Sequence, residues 1–350
     1  MLVAQETKQA RINEVLRSEY QSEDQPGAAV LIMQGPDTLF AGCYGWADQQ
    51  TKAPVDFNTH FCIASVSKQF AAVALLQLCE QGKLSLDTSL QQLFPRLKAP
   101  FYRDITLHHI LSHTSGIPDA RPRNDRDFVL HATSDQSVRY MDTLTTLNFT
   151  PGTRYEYINP TYQMAELIIP QVSGESFEHY MQRHVFDPAG MMSTVYFEPA
   201  RGIPHMAHGY EPDGAGGYKE YDYDEETFFA TKADGGIYTS ISDFMQWQHA
   251  LHDLKVLSES SLRKAWTPWV ELDPDANYGY QPHTGYGYGF FIQHRPDRPD
   301  IIYHTGDNGG FTIYAGQMPE KEIFFLFFST RNDIDRMGLV NKIWDILLAE

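Results

Sequence analysis

Phe324-Phe325-Leu326-Phe327-Phe328 is apolar at every position, between Ile323 and Ser329. A strand with one wet face alternates apolar and polar residues. An unbroken run reads instead as a central strand covered on both faces. Tyr286 to Gln293, Ile301 to His304 and Phe311 to Gln317 read as further strands set apart by turn signals. At the other end of the chain, Gly27 to Met33 reads as a buried strand and Gly35-Pro36-Asp37 as a turn. Thr38 to Trp46 then reads as its hairpin partner. Helical patterns fill the middle. Ser65 to Gln81 is apolar on most sides through Ala71, Ala72, Leu75, Leu76 and Leu78, and Gly82 stops it. Thr106 caps Leu107 to Ser112. Residues 211–225 read as a polar loop or hairpin. The expected fold is α+β, an α/β sandwich: one antiparallel sheet built from both chain ends, flanked by helices over 4–20 and Ile334 to Leu348, with a mostly helical lobe inserted. Residues 1–57 and 240–350 are expected to form the sheet lobe and 58–239 the helical lobe, with a cleft between them.

The charge balance narrows the partners. The chain has 350 residues, with 27 Lys and Arg against 45 Asp and Glu, for a net charge of −18. That repels nucleic-acid phosphates and anionic lipid, so neither is expected as a partner. A small molecule or a peptide is. The three cysteines, Cys43, Cys62 and Cys79, are irregularly spaced, contain no CxxC, and give neither a disulfide framework nor a zinc ribbon. No apolar run reaches the ~18 residues of a membrane span. The first residues, MLVAQETKQARINEVL, lack a basic region followed by an apolar one, and read as an amphipathic helix and not a signal peptide. The expected compartment is therefore the cytoplasm by default, or the cell envelope or exterior if a leader has been removed.

Three short patterns carry chemistry: Ser65-Val66-Ser67-Lys68, Tyr157-Ile158-Asn159 and His304-Thr305-Gly306. A serine hydroxyl is a weak nucleophile and needs a base. Three residues on, Lys68 shares a helix face with Ser65. The apolar helix that follows would desolvate the lysine and lower its affinity for a proton. Alone, S-x-x-K is a weak signal; Ser261-Leu262-Arg263-Lys264 repeats it on a short charged helix. Tyr157-Ile158-Asn159 follows the turn Pro151-Gly152 and is expected on a loop, where Tyr157 can exchange protons with Ser65 and Asn159 can bind an amide. A tyrosine that only packs the loop is the plain alternative. His304-Thr305-Gly306 ends a strand, and a glycine there suits the close approach of a substrate backbone. His283-Thr284-Gly285 repeats that pattern ahead of its strand and is the poorer candidate. His109 and His113 have metal-ligand spacing without the accompanying glutamate, and no metal or other cofactor is expected. Gly214-Ala215-Gly216-Gly217 lacks the strand and helix of a phosphate loop. No G-x-S-x-G elbow is present.

In this order the three patterns resemble the serine β-lactamase and penicillin-binding protein superfamily, and more narrowly its class C β-lactamase-like branch of DD-carboxypeptidases, D-aminopeptidases and esterases. Ile105 to Ile117, Gly235 to Ser240 and Tyr286 to Phe290 are similar to segments of the same branch, so the resemblance covers nearly the whole chain. It implies a β-lactamase/transpeptidase-like fold and a serine hydrolase working through an acyl-enzyme. Ser65 would be the nucleophile, and Lys68 and Tyr157 would share base and acid duty. Asn159 would bind the substrate amide, and the backbone N–H groups of Ser65 and Asp307 would form the oxyanion hole. His304, Thr305 and Gly306 would line the far end of the substrate. The β-lactamases of the branch carry lysine where His304 stands; histidine there resembles the peptidase and esterase members. A histidine titrating near ~6.5 carries a conditional charge, so KM for an acidic substrate is expected to rise above that pH. An inward Asp307 carboxylate would favour amines over anions. A carboxylesterase, or a non-catalytic binding protein on the same fold, are the competing readings.

Overall fold

The computed structural model describes residues 2–122, 125–196, 202–221, 232–273 and 282–349. Helix α1 (Leu2–Glu19) leads into the hairpin of β1 (Ala28–Gln34) and β2 (Asp37–Tyr44). Helices α2 (Lys68–Glu80), α3 (Asn159–Gln163) and α4 (Ile241–His252) lie in the interior of the sequence. Six strands follow: β3 (Val270–Glu271), β4 (Thr284–Tyr286), β5 (Phe291–Arg295), β6 (Arg298–Asn308), β7 (Phe311–Met318) and β8 (Ile323–Ser329). Helix α5 (Arg336–Leu348) ends the described chain.

Among the described residues these strands make one eight-stranded sheet in the order β3-β4-β5-β6-β7-β8-β1-β2. Every neighbouring pair is antiparallel. The N-terminal hairpin joins beside the last strand, with Ala28 opposite Ser329 and Gln34 opposite Ile323. The sheet is thus built from both chain ends, as the sequence predicts.

Strand β8 explains why the sheet is interior. Its seven residues are all buried. Phe325 and Phe327 pack with Ile12, Leu16 and Trp344 of the terminal helices. Phe324, Leu326 and Phe328 face the opposite core, where the Phe328 ring lies 5.7 Å from Phe61 and 5.5 Å from Phe244 of α4. Full burial of each such side chain contributes roughly 1.5–3 kcal/mol. Neither face can be given up, so the strand has no wet side to alternate with.

One expected strand is two. Tyr286 to Gln293 breaks between β4 and β5, and Gly289 sits at φ +80°. A Cβ on Gly287 would fall 2.0 Å from the Ala265 carbonyl, and one on Gly289 2.8 Å from that of Lys68. The chain leaves the sheet there to press against α2. Tyr210–Pro212 and Tyr218–Glu220 form the hairpin expected in the polar segment; residues 222–225 lie outside the described residues. No described helix is long and apolar enough to cross a membrane.

Candidate active site

The site begins with a short ribbon. Phe61–Cys62 pairs with Ile237–Thr239, and the Ile63 N–H donates to the Ile237 carbonyl at 3.0 Å. The chain then turns sharply: Ala64 adopts φ +47°, a left-handed conformation that costs a non-glycine residue energy and recurs at functional turns. A 3-10 turn, Ala64–Ser67, runs into α2. In a 3-10 turn, side chains three apart eclipse one another. Lys68 therefore stands directly over Ser65, and its Nζ donates to Ser65 Oγ at 3.0 Å. From Phe61 to Phe70, Ser65 is the one residue that is not buried.

Lys68 itself is fully buried. Its Nζ also donates to the Asp234 carbonyl at 2.7 Å and lies 5.0 Å from the Tyr157 ring centroid and 5.7 Å from that of Tyr162. Burial pulls its pKa down to about 7; the Asp234 carboxylate pulls the other way, and the Arg121 guanidinium adds to the lowering. A lysine in this range exchanges protons at neutral pH, which an exposed one does not.

Tyr157 sits on a loop, as expected, whereas Asn159 is the first residue of α3, with Pro160 behind it. His113 fixes that loop. Its carbonyl accepts from the Glu156 N–H at 3.0 Å, its Nδ1 accepts from the Ile158 N–H at 3.3 Å, and its ring lies 4.4 Å from that of Tyr157. His109 is occupied elsewhere: its Nδ1 accepts from the Thr106 N–H at 3.1 Å in a capping box. No group of ligands suited to a metal occurs among the described residues.

Strand β6 closes the other side. Its pairing with β5 ends at Phe291 opposite Tyr303, so His304 to Asn308 run on beyond that neighbour. The close approach at Gly306 is made by the chain itself: a Cβ there would lie 2.3 Å from the Ile63 carbonyl. The glycine lets β6 lie against the turn that carries Ser65, a different reason from the substrate approach expected of it. Ser65, Tyr157, Asn159, Phe291, His304, Thr305, Asp307 and Arg336 line a cavity of about 280 Å³. Asn159 Oδ1 is buried with no hydrogen-bond partner among the described residues. The copies of the motifs lie elsewhere: Lys264 is on the exposed side of its helix, and His283 is exposed at the start of β4.

Two electrostatic expectations change. His304 is buried, and burial, reinforced by the Lys68 charge, lowers its pKa to about 3. Its Nδ1–H donates to the Thr305 carbonyl at 2.7 Å, which leaves Nε2 to accept from the Tyr286 hydroxyl at 3.1 Å. The ring is a neutral, fixed hydrogen-bonding group and not a conditional cation. The Asp307 carboxylate, in turn, is not an unopposed charge. Arg336 Nη1 donates to its Oδ1 at 2.7 Å and to the Gly306 carbonyl at 3.2 Å. The sequence reading did not single out Arg336, Phe291 or Tyr286. Nothing local marks Arg336; it enters from the first turn of α5, beyond the last strand.

The family model described as Beta-lactamase matches residues 12–349. Penicillin-binding protein 4* of Bacillus subtilis is 29% identical over 317 residues, covering 87% of this chain and 68% of that one. A D-aminopeptidase of Gluconobacter oxydans is 26% identical over 267 residues, covering 73% of this chain and 48% of that one. The octameric penicillin-binding protein homologue from Pyrococcus abyssi superposes with a TM-score of 0.85 at 24% identity, over 97% of this chain and 77% of that one, a likeness of fold.

Proposed function

The chain belongs to the Beta-lactamase family, and on that premise we propose that it is a serine hydrolase that forms an acyl-enzyme on Ser65 from an amide or ester, of the SxxK, YxN, HTG type. The observation that carries this reading is the fully buried Lys68 amine 3.0 Å from a partly buried serine hydroxyl that faces a cavity. Lys68 and Tyr157 take the Ser65 proton and return it to the leaving group. The backbone N–H groups of Ser65 and Asp307 receive the negative charge on the carbonyl oxygen. The buried Asn159 Oδ1 accepts from a substrate N–H, and Thr305 lines the acyl side of the cavity. His304 supports the wall beside Tyr157.

We favour peptides or amides with a free acid end, of the DD-peptidase or D-amino-acid peptide type. Arg336 supports this: its side chain is only 15% exposed, it lines the cavity, and its guanidinium keeps a donor, Nε, without a partner among the described residues. The neutrality of His304 favours the second reading, a carboxylesterase whose substrates carry no acid. Turnover of a D-Ala-D-Ala peptide and of short p-nitrophenyl esters, in the wild type, Ser65→Ala and Arg336→Ala, decides both points. Ser65→Ala should abolish all turnover. Arg336→Ala should raise KM for the peptide on the order of 10–100-fold, the loss of one charge-assisted hydrogen bond, and leave the esters alone. Equal effects on both substrates would favour the esterase, and turnover by Ser65→Ala would remove the nucleophile assignment.

A further inference from the structure

Beside Lys68, and outside the cavity lining, lies a polar cluster that the reaction outlined above does not use. Asp234 is its centre. The residue is 7% exposed, and the Gln163 amide donates to its Oδ2 at 3.1 Å. Its Oδ1 is buried and has no hydrogen-bond donor among the described residues. A buried carboxylate with half its acceptors unmet is costly unless a cation offsets it. Burial raises the pKa of Asp234, and the charges of Lys68 and Arg121 oppose that rise and favour the carboxylate. Arg121 is held bidentately by Asp119, at 2.8 Å through both Nε and Nη2. Lys68 is joined to Asp234 by the 2.7 Å bond to its carbonyl, and the carboxylate of the same residue favours the charged amine.

The segment that presents Asp234 is fastened on both sides. The N–H groups of Lys232 and Ala233 both donate to Glu166 Oε1, at 2.5 and 2.8 Å, and the Lys232 ammonium pairs with Glu178. Past Asp234, Ile237–Thr239 pairs with the ribbon that leads to Ser65. These contacts fix both acceptors of the Lys68 amine, the Asp234 carbonyl and Ser65 Oγ.

We propose that Asp234 is a positioning residue for Lys68: its carbonyl holds the amine over Ser65, and its carboxylate sustains a positive charge on that amine that the surrounding burial would otherwise remove. The inference rests on the role of Ser65 and Lys68 given above. Tyr157 and Tyr162 present ring faces to the amine, and Arg121 opposes a charge there. His113 and His304 are neutral rings near it. Besides Lys68 and Arg121, Asp234 faces Glu166, whose burial raises its pKa to about 7. Removing the Asp234 charge leaves burial and Arg121 unopposed, so Lys68 must release its proton at lower pH.

The test is the rate of Ser65 labelling by a fluorophosphonate, followed by intact mass from pH 5 to 10 in the wild type and Asp234→Asn. The midpoint that Lys68 governs should move to lower pH by about one unit, the scale of a near opposite charge. Glu166→Gln keeps the acceptor for both N–H groups and removes the other titration near neutrality; the Asp234-dependent shift should persist in that background. A folded Asp234→Asn whose profile superimposes on the wild type, or only loses amplitude at an unmoved midpoint, overturns the inference and leaves Ser65 as nucleophile. Should Asp234→Asn fail to fold, Asp234→Ala, which also removes the charge and keeps the backbone carbonyl, should give a shift in the same direction, and an unmoved midpoint overturns the inference. No labelling of the wild type at any pH would sink the nucleophile reading and this one with it.

Discussion

Acidification from pH 7.5 to 5.0 isolates the state of His304. Its pKa is about 3 in the folded protein, against an ordinary 6.5. Above 6.5 the ring is neutral folded or unfolded and contributes no pH dependence. Between 6.5 and 3 the unfolded chain binds a proton that the native ring refuses, so stability falls as pH falls. At pH 5.0 the gap is one and a half units, which at roughly 1.4 kcal/mol per unit costs about 2 kcal/mol. Other groups titrate in that window as well, including the buried His113, whose pKa is also depressed. They are common to the wild type and His304→Asn, so the comparison cancels most of them. Urea unfolding of both proteins at both pH values is the assay. The variant has lost the bond to Tyr286 and should be the less stable at pH 7.5. Its loss on acidification should nonetheless be about 2 kcal/mol smaller than that of the wild type. Equal losses would mean that His304 takes up a proton in the native state, and the account of a neutral cavity wall would fail. A companion outcome is that KM depends on pH near 6.5 in the same way in the wild type and His304→Asn, because no charge on His304 is lost there.

Lys68→Ala and Tyr157→Phe should each lower kcat/KM on the order of 10²–10⁴-fold with the fold intact by circular dichroism; a loss under tenfold would remove that residue from proton transfer. Gly306→Ala should drive β6 away from the Ile63 carbonyl, now 2.3 Å from where the new Cβ would stand. A displacement near 1 Å at Ser65 costs on the order of 10²-fold in rate, so unchanged kinetics and melting temperature would contradict that packing role.

The sheet could be read from the sequence because its central strand has no alternative. Five consecutive apolar residues must be covered on both sides: the helices at the two chain ends cover one face, and the inserted helices, with Phe244, cover the other. The break at residues 287–290 was not legible, because an aromatic run with two glycines has the composition of a strand. Only the packing of Gly287 and Gly289 against Ala265 and Lys68 decides otherwise. Ser65 and Lys68 are legible together because their geometry is local, one helical turn. The charge of His304 is not local. It depends on burial beside Tyr286 and Phe291, which pattern reasoning does not supply. Arg336 lies 29 residues beyond Asp307, in the first turn of the last helix, so its pairing with that carboxylate exists only in the fold.

The most direct test of the central claim is covalent. The protein is incubated with a fluorophosphonate and, separately, with a penicillin, and its intact mass is recorded beside that of Ser65→Ala. One adduct per chain on the wild type and none on the variant is the predicted result. An adduct that persists on Ser65→Ala, or a wild type that neither reagent modifies, would contradict Ser65 as the activated nucleophile.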